Sequence, residues 1–151
     1  MSNVEEELQI RLRETFLRAW RDVMESKMRE EPPDYDWVVR SYVEVRDKLG
    51  ALMGRRKAEV EENMDVELFE QMIRNNAFQG PEFLGLVNYT FGLCLQLGAP
   101  GDDAKTNEKK NEVMEALNTG EVFAKLIPLY FENINICIET IYVRVRELRS
   151  H

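Results

Sequence analysis

The chain has 151 residues, of which 44 % are apolar and 32 % charged, and its formal net charge is -8. That length suits one domain spanning 1–151, and the balance is that of a soluble globular chain rather than a disordered or membrane-embedded one. An acidic surface repels phosphate backbones, which argues against general nucleic-acid binding.

Charge is spread unevenly. Between Ala77 and Gly101 the only charged residue is Glu82, and from Leu126 to Val143 the only ones are Glu132 and Glu139. These two stretches are expected to form the interior. Cys94 and Cys137 lie within them and read as small buried hydrophobes rather than as a disulfide framework. Met1 to Glu7 is acidic where a secretory signal is basic and then apolar, so a cytoplasmic setting is expected.

At the start, Ser2 and Glu5 have capping-box spacing. Leu8, Leu12, Phe16, Ala19 and Val23 then recur at helical steps, which predicts an amphipathic helix to about Met28 with this stripe as its buried face. Pro32-Pro33 stops it, and Asp34 or Asp36 can cap the next helix. Val38, Tyr42, Val45, Leu49 and Leu52 mark a second helix, weakened at its far end by Gly50 and Gly54, with a pattern that can be followed to Val60. A short third helix opens near Asp65 and buries Leu68, Phe69, Met72 and Ile73.

The fourth helix, about Pro81 to Leu97, is apolar nearly all round, as a central bundle helix or a membrane span would be. Its charge-free stretch is at the lower length limit for a bilayer and lacks basic flanks, so membrane insertion is not expected. Gly85 and Gly92 share a face that would admit a neighbouring backbone, and Gly98 fits a C-terminal cap. A polar loop follows. The fifth helix, roughly Thr106 to Leu117, buries Val113, Met114 and Leu117. The last helix is long, with Ile127, Phe131, Ile134, Ile138, Ile141, Val145 and Leu148 on one stripe, and Pro128 kinks it or opens its second half. Such a stripe serves either a coiled coil with a second copy or the spine of a bundle. The additional apolar residues Leu126, Tyr130, Ile136 and Val143 widen the face and favour the bundle.

Chemistry is sparse. The one histidine is His151, at the C-terminus, so helical two-His zinc motifs and carboxylate-His di-iron sites are excluded. Cys94 and Cys137 cannot build a four-thiolate site. No phosphate-binding loop is present, and Asp102-Asp103 lacks the alternating ligands and closing Glu of an EF-hand, which leaves these residues to cap the fifth helix. Glu132 and Glu139 project from the same side of the last helix, with Asn135 between them. They read as a solvated polar stripe rather than an acid-base pair. No catalytic, cofactor or metal residue is assigned, and an enzyme is not expected. Two basic clusters end helices: Arg55-Arg56-Lys57, and Arg144, Arg146 and Arg149. The latter three are the candidate partner-binding residues, suited to an acidic or phosphorylated partner.

Glu44-Val45-Arg46-Asp47-Lys48-Leu49, then Met64 to Gln71, then Phe78 with the apolar run Leu84 to Leu97, and finally Ala99-Pro100 with Asp102, together resemble the T-complex protein 11 family over about Val38 to Asp103. Gly98 and Gly101 stand where the family often has Cys and Arg, and the Glu132 to Asn135 region does not match the family's later motif. The resemblance implies an all-helical, non-enzymatic protein linked with cAMP-dependent kinase signalling.

The expectation is therefore a compact all-α bundle of about six helices with a long C-terminal helix. Its expected role is a protein-interaction or regulatory module, with Trp20 and Trp37 as possible anchors that at helical spacing also suit a core. Two alternatives stand beside it. One is a small-molecule or lipid carrier with a cavity lined by Phe83, Met114 and Phe131; the other is a homo-oligomer built on the C-terminal helix.

Overall fold

A computed structural model describes residues 3–149; Ser2 and His151 lie outside them. Among the described residues the chain forms seven α-helices and no strand: α1 (Asn3–Met28), α2 (Asp36–Met53), α3 (Lys57–Asn63), α4 (Val66–Arg74), α5 (Gly80–Leu97), α6 (Asp103–Asn118) and α7 (Phe123–Arg149). The count exceeds six because the second helical pattern is broken. Gly54 adopts φ 59°, which favours a residue without Cβ, and a 3-10 turn over Gly54–Arg56 separates α2 from α3.

Local chemistry sets the helix starts. The Asp34 carboxylate accepts the Asp36 amide (3.0 Å), the Asp65 carboxylate accepts the Leu68 amide (3.1 Å), and Glu82 reaches back to the Gln79 amide (2.9 Å). Pro128 lies inside α7, close to its beginning, and does not divide it. Asp102 precedes α6 but makes no side-chain cap there.

α7 is the centre, packed against α1, α2, α5 and α6. From Leu126 to Ile138 its side chains are buried apart from the half-buried Leu129 and Asn135. Tyr130 is fully enclosed, edge-on to Phe83 (5.8 Å), Phe91 (6.2 Å) and Phe131 (4.9 Å). The Thr90 hydroxyl donates to Leu86 O (2.8 Å), so in the 2.9 Å contact between Tyr130 and Thr90 it is the tyrosine that donates. A second aromatic chain fastens α4 to α2: Tyr42 stacks on Phe69 (4.0 Å), which meets Phe78 at 5.1 Å.

Expectations fail on α4, α5 and α7: on α4, Leu68, expected inside, is 53 % exposed. α5 buries Phe83, Val87, Phe91 and Cys94, but Gly85, Asn88 and Gln96 face outward, and nothing approaches Gly85 or Gly92 within 4 Å of where a Cβ would sit. α5 is thus peripheral, and its apolar appearance comes partly from small residues on the open side. The α7 stripe also runs out of core: Val145 is half-buried and Leu148 exposed.

Phe91→Ala should lower unfolding free energy by about 3–5 kcal/mol in urea titration, because a closed aromatic core cannot collapse on the void. Tyr130→Phe should cost only about 1 kcal/mol, since Thr90 keeps its own acceptor.

Candidate interaction surface

α1 runs antiparallel along α7, and its packing reverses the expectation from its sequence. The inward residues are Leu17, Met24 and Met28, with Trp20 and Arg21 half-buried. The stripe expected inside points to solvent: Leu8 is 56 % exposed, Leu12 63 % and Phe16 54 %, and Ala19 and Val23 are exposed too; Val4, one turn before Leu8, is 78 % exposed. Periodicity identifies one apolar face of α1; the face that docks is a second one, formed by Leu17, Met24 and Met28, and it also carries the arginines that meet α7.

The charges responsible are on α7. Glu132, expected in a solvated stripe, is only 6 % exposed and accepts a 2.6 Å hydrogen bond from Arg21, with Arg18 at 3.6 Å. Glu139 is half-buried between Arg13 (3.9 Å) and Arg146 (3.7 Å), and Lys105 reaches Glu14 of α1 at 3.9 Å. A buried carboxylate needs a partner, so Glu132 fixes which side of α1 lies against α7. Both carboxylates are held by guanidinium groups.

At the edge of the exposed stripe the side chains become aromatic. Phe16 lies 6.3 Å from Trp20, and Trp20 lies 4.3 Å from Trp37 of α2, with Trp20 Nε1 donating to Ser41 Oγ (3.2 Å). Arg13 sits over Phe16 at 5.5 Å and Arg40 over Trp37 at 5.8 Å. Trp20 and Trp37 are thus neither fully core nor free anchors.

The arginine candidates are differently placed. Arg144 grips Asp102 with two hydrogen bonds of 3.1 Å, Arg146 pairs with Glu139, and Arg149 is exposed at the end of α7 beside Leu148. The hydrogen bond from Arg144 holds the Asp102 carboxyl below its ordinary range. Asp102 is therefore a clasp to α7 rather than a cap for α6. In the other basic cluster, Arg56 pairs with Glu59 (2.8 Å) and Lys57 with Glu61 (4.0 Å).

Among the described residues, no group of three or more His, Cys, Asp or Glu side chains is placed to hold a metal ion, and no helix is long and apolar enough to cross a membrane. Both thiols are buried and unpaired. Desolvation pushes each upward, that of Cys137 to about 11. Of the residues expected to line a carrier cavity, Phe83 and Phe131 are core side chains with the ring of Tyr130 against both, and Met114 is half-buried.

A family model described as T-complex protein 11 matches residues 2–133. The chain belongs to the T-complex protein 11 family. The match extends beyond Val38 to Asp103, back through the stripe on α1 and forward to Glu132 and Asn133 on α7. This T-complex protein 11 family member therefore carries the α1 arginines and their buried carboxylate inside the matched region. The T-complex protein 11 family is not a known enzyme family. No solved structure matches the chain.

Arg21→Ala, which leaves Glu132 buried without its shortest partner, should destabilise the fold by about 3 kcal/mol in urea titration. Neither cysteine should react with a thiol reagent at pH 8 in the native state, and both should react once the chain is unfolded; mass spectrometry of the alkylated protein reads this directly.

Proposed function

We propose that this member of the T-complex protein 11 family is a non-catalytic protein-interaction module, and that the outer face of α1 docks an amphipathic helix of a partner protein. The observation that carries this reading is the exposure of Val4, Leu8, Leu12 and Phe16 on a single helical face. Scattered surface apolar residues need no explanation, whereas a continuous ridge of large ones marks an interaction site. From Val4 to Val23 the ridge is about 30 Å long at 1.5 Å per residue, enough for several turns of a partner helix. The adjoining Phe16, Trp20 and Trp37 with Arg13 and Arg40 are of the residue types that dominate binding energy at interfaces. Glu5 and Glu7 flank the ridge at its start and favour basic residues at that end of the partner.

The family's link with cAMP-dependent kinase signalling makes a subunit of that kinase the first partner to test, in a cytoplasmic signalling-adaptor role. Arg149, together with the exposed Leu148, extends the surface at the C-terminal end of α7. Arg144 and Arg146 contribute less, because they are already engaged by Asp102 and Glu139.

Leu8→Asp combined with Leu12→Asp should reduce binding of the purified kinase subunit more than tenfold while leaving helical circular dichroism unchanged, as both side chains are exposed. Unchanged affinity would refute the α1 surface. Loss of binding in the triple variant Arg144→Ala, Arg146→Ala, Arg149→Ala, with the α1 variant unaffected, would move the site to the arginines.

A further inference from the structure

A second surface lies on α4 and α5, outside the α1 face. A groove of about 360 Å³ runs between them, floored by Tyr42, Phe69 and Phe78 and walled by Leu68, Met72 and Leu86. That volume is within the range of about 300–1,000 Å³ typical of ligand sites. Leu68 is 53 % exposed although it belongs to the apolar face of α4, so the wall stands open.

The rim is of one sign. Glu62, Asp65 and Glu82 line the groove, and no lysine or arginine does. The cation acting on Tyr42 from nearby, Arg46, is tied to Asp47 at 3.0 Å and is not a lining residue. The groove between α1 and α7, about 190 Å³, is different: its lining carboxylates are interleaved with Arg13 and Arg144, so it is neutralised from within.

Two of the three carboxylates are already fixed. Asp65 is held by the Leu68 amide and Glu82 by the Gln79 amide, each through one oxygen. The other oxygen of each remains for an incoming group, on a side chain whose ordering cost was met on folding. Burial, with Asp65 second, pushes the Tyr42 hydroxyl up to about 12, so that group stays neutral beside the carboxylates.

We infer that the α4–α5 groove binds a basic peptide segment of a partner protein, seating an apolar side chain between Leu68 and Leu86 and a lysine or arginine against Glu62, Asp65 and Glu82. The apolar walls supply the anchor, and the uniform negative rim selects the charge of what flanks it. This surface is separate from the α1 ridge, and its variants leave that ridge intact.

The test uses the full chain with the α1 ridge silenced by Leu8→Asp and Leu12→Asp, and fluorescence anisotropy with two labelled helical peptides of the same apolar pattern, one built from Leu and Lys, the other from Leu and Glu. The Leu/Lys peptide should bind and the Leu/Glu peptide should not. Glu62→Gln, Asp65→Asn and Glu82→Gln together should weaken binding at least tenfold; Asn and Gln at these positions can still accept the backbone amides. Leu68→Ala, at an exposed site that the fold does not need, should also weaken it several-fold. A control removing as many charges from exposed positions elsewhere, Glu108→Gln, Glu115→Gln and Glu121→Gln, should change affinity less than twofold. Equal weakening by both triple variants would reduce the effect to net charge and overturn the proposal. So would absence of Leu/Lys binding, indifference to Leu68→Ala, or displacement of the peptide by spermine at equal concentration, which would leave the apolar walls without a role.

Discussion

A helix enclosed on all sides has no water to turn to, and each of its polar side chains must find a partner inside the protein. α7 is under that constraint over its buried stretch, Leu126 to Ile138, and each of its four main neighbours is tied to the helix by a polar contact. Glu132 holds α1 through Arg21, Asn133 holds α6 through Lys109 O and Glu112, Tyr130 holds α5 through Thr90, and Tyr142 holds α2 through Lys48 O. Apolar burial drives the helices together, but it is non-directional. The polar ties choose the rotation and height of each helix against the central one.

This division of labour explains what could be read in the sequence. The helices, their approximate limits and the central place of α7 follow from runs such as Ile127 to Ile141, where apolar period and burial coincide. The start of α4 near Asp65 is legible because a carboxylate before an apolar run marks a helix opening, and the structure adds that its side chain caps Leu68. The orientation of α1 is not legible, because it depends on Glu132, a residue more than a hundred positions away whose burial is known only when α7 is surrounded. From Leu8 to Phe16 the period finds a true amphipathic face, but one facing solvent. For α5, composition alone conceals that its glycines lie on the open side.

The candidate surfaces were legible to a lesser degree. The arginines at the end of α7 stand out in the sequence, yet the structure engages Arg144 and Arg146 with carboxylates of the same chain. The exposed ridge of α1 consists of residues that pattern reading assigns to the core. The α4–α5 groove draws Glu62, Asp65 and Glu82 together from separate elements, and no local signal announces that no cation joins them.

The attachment of α1 is graded along its length. Toward Met28 it is held by buried Leu17, Met24 and Met28, whereas from Val4 to Phe16 no side chain is buried, the ion pair of Arg13 with Glu139 is 3.9 Å long, and the side chains from Val4 to Leu12 are exposed. Long, solvent-screened ion pairs contribute little free energy each. Amide hydrogen exchange would therefore run as a gradient, fastest in the first turns of α1 and slowest past Arg21, with the early turns opening as a unit while the bundle stays closed. A partner on the outer ridge would meet the least firmly seated part of the molecule, and its binding energy would be shared between contact and the seating of that helix on α7.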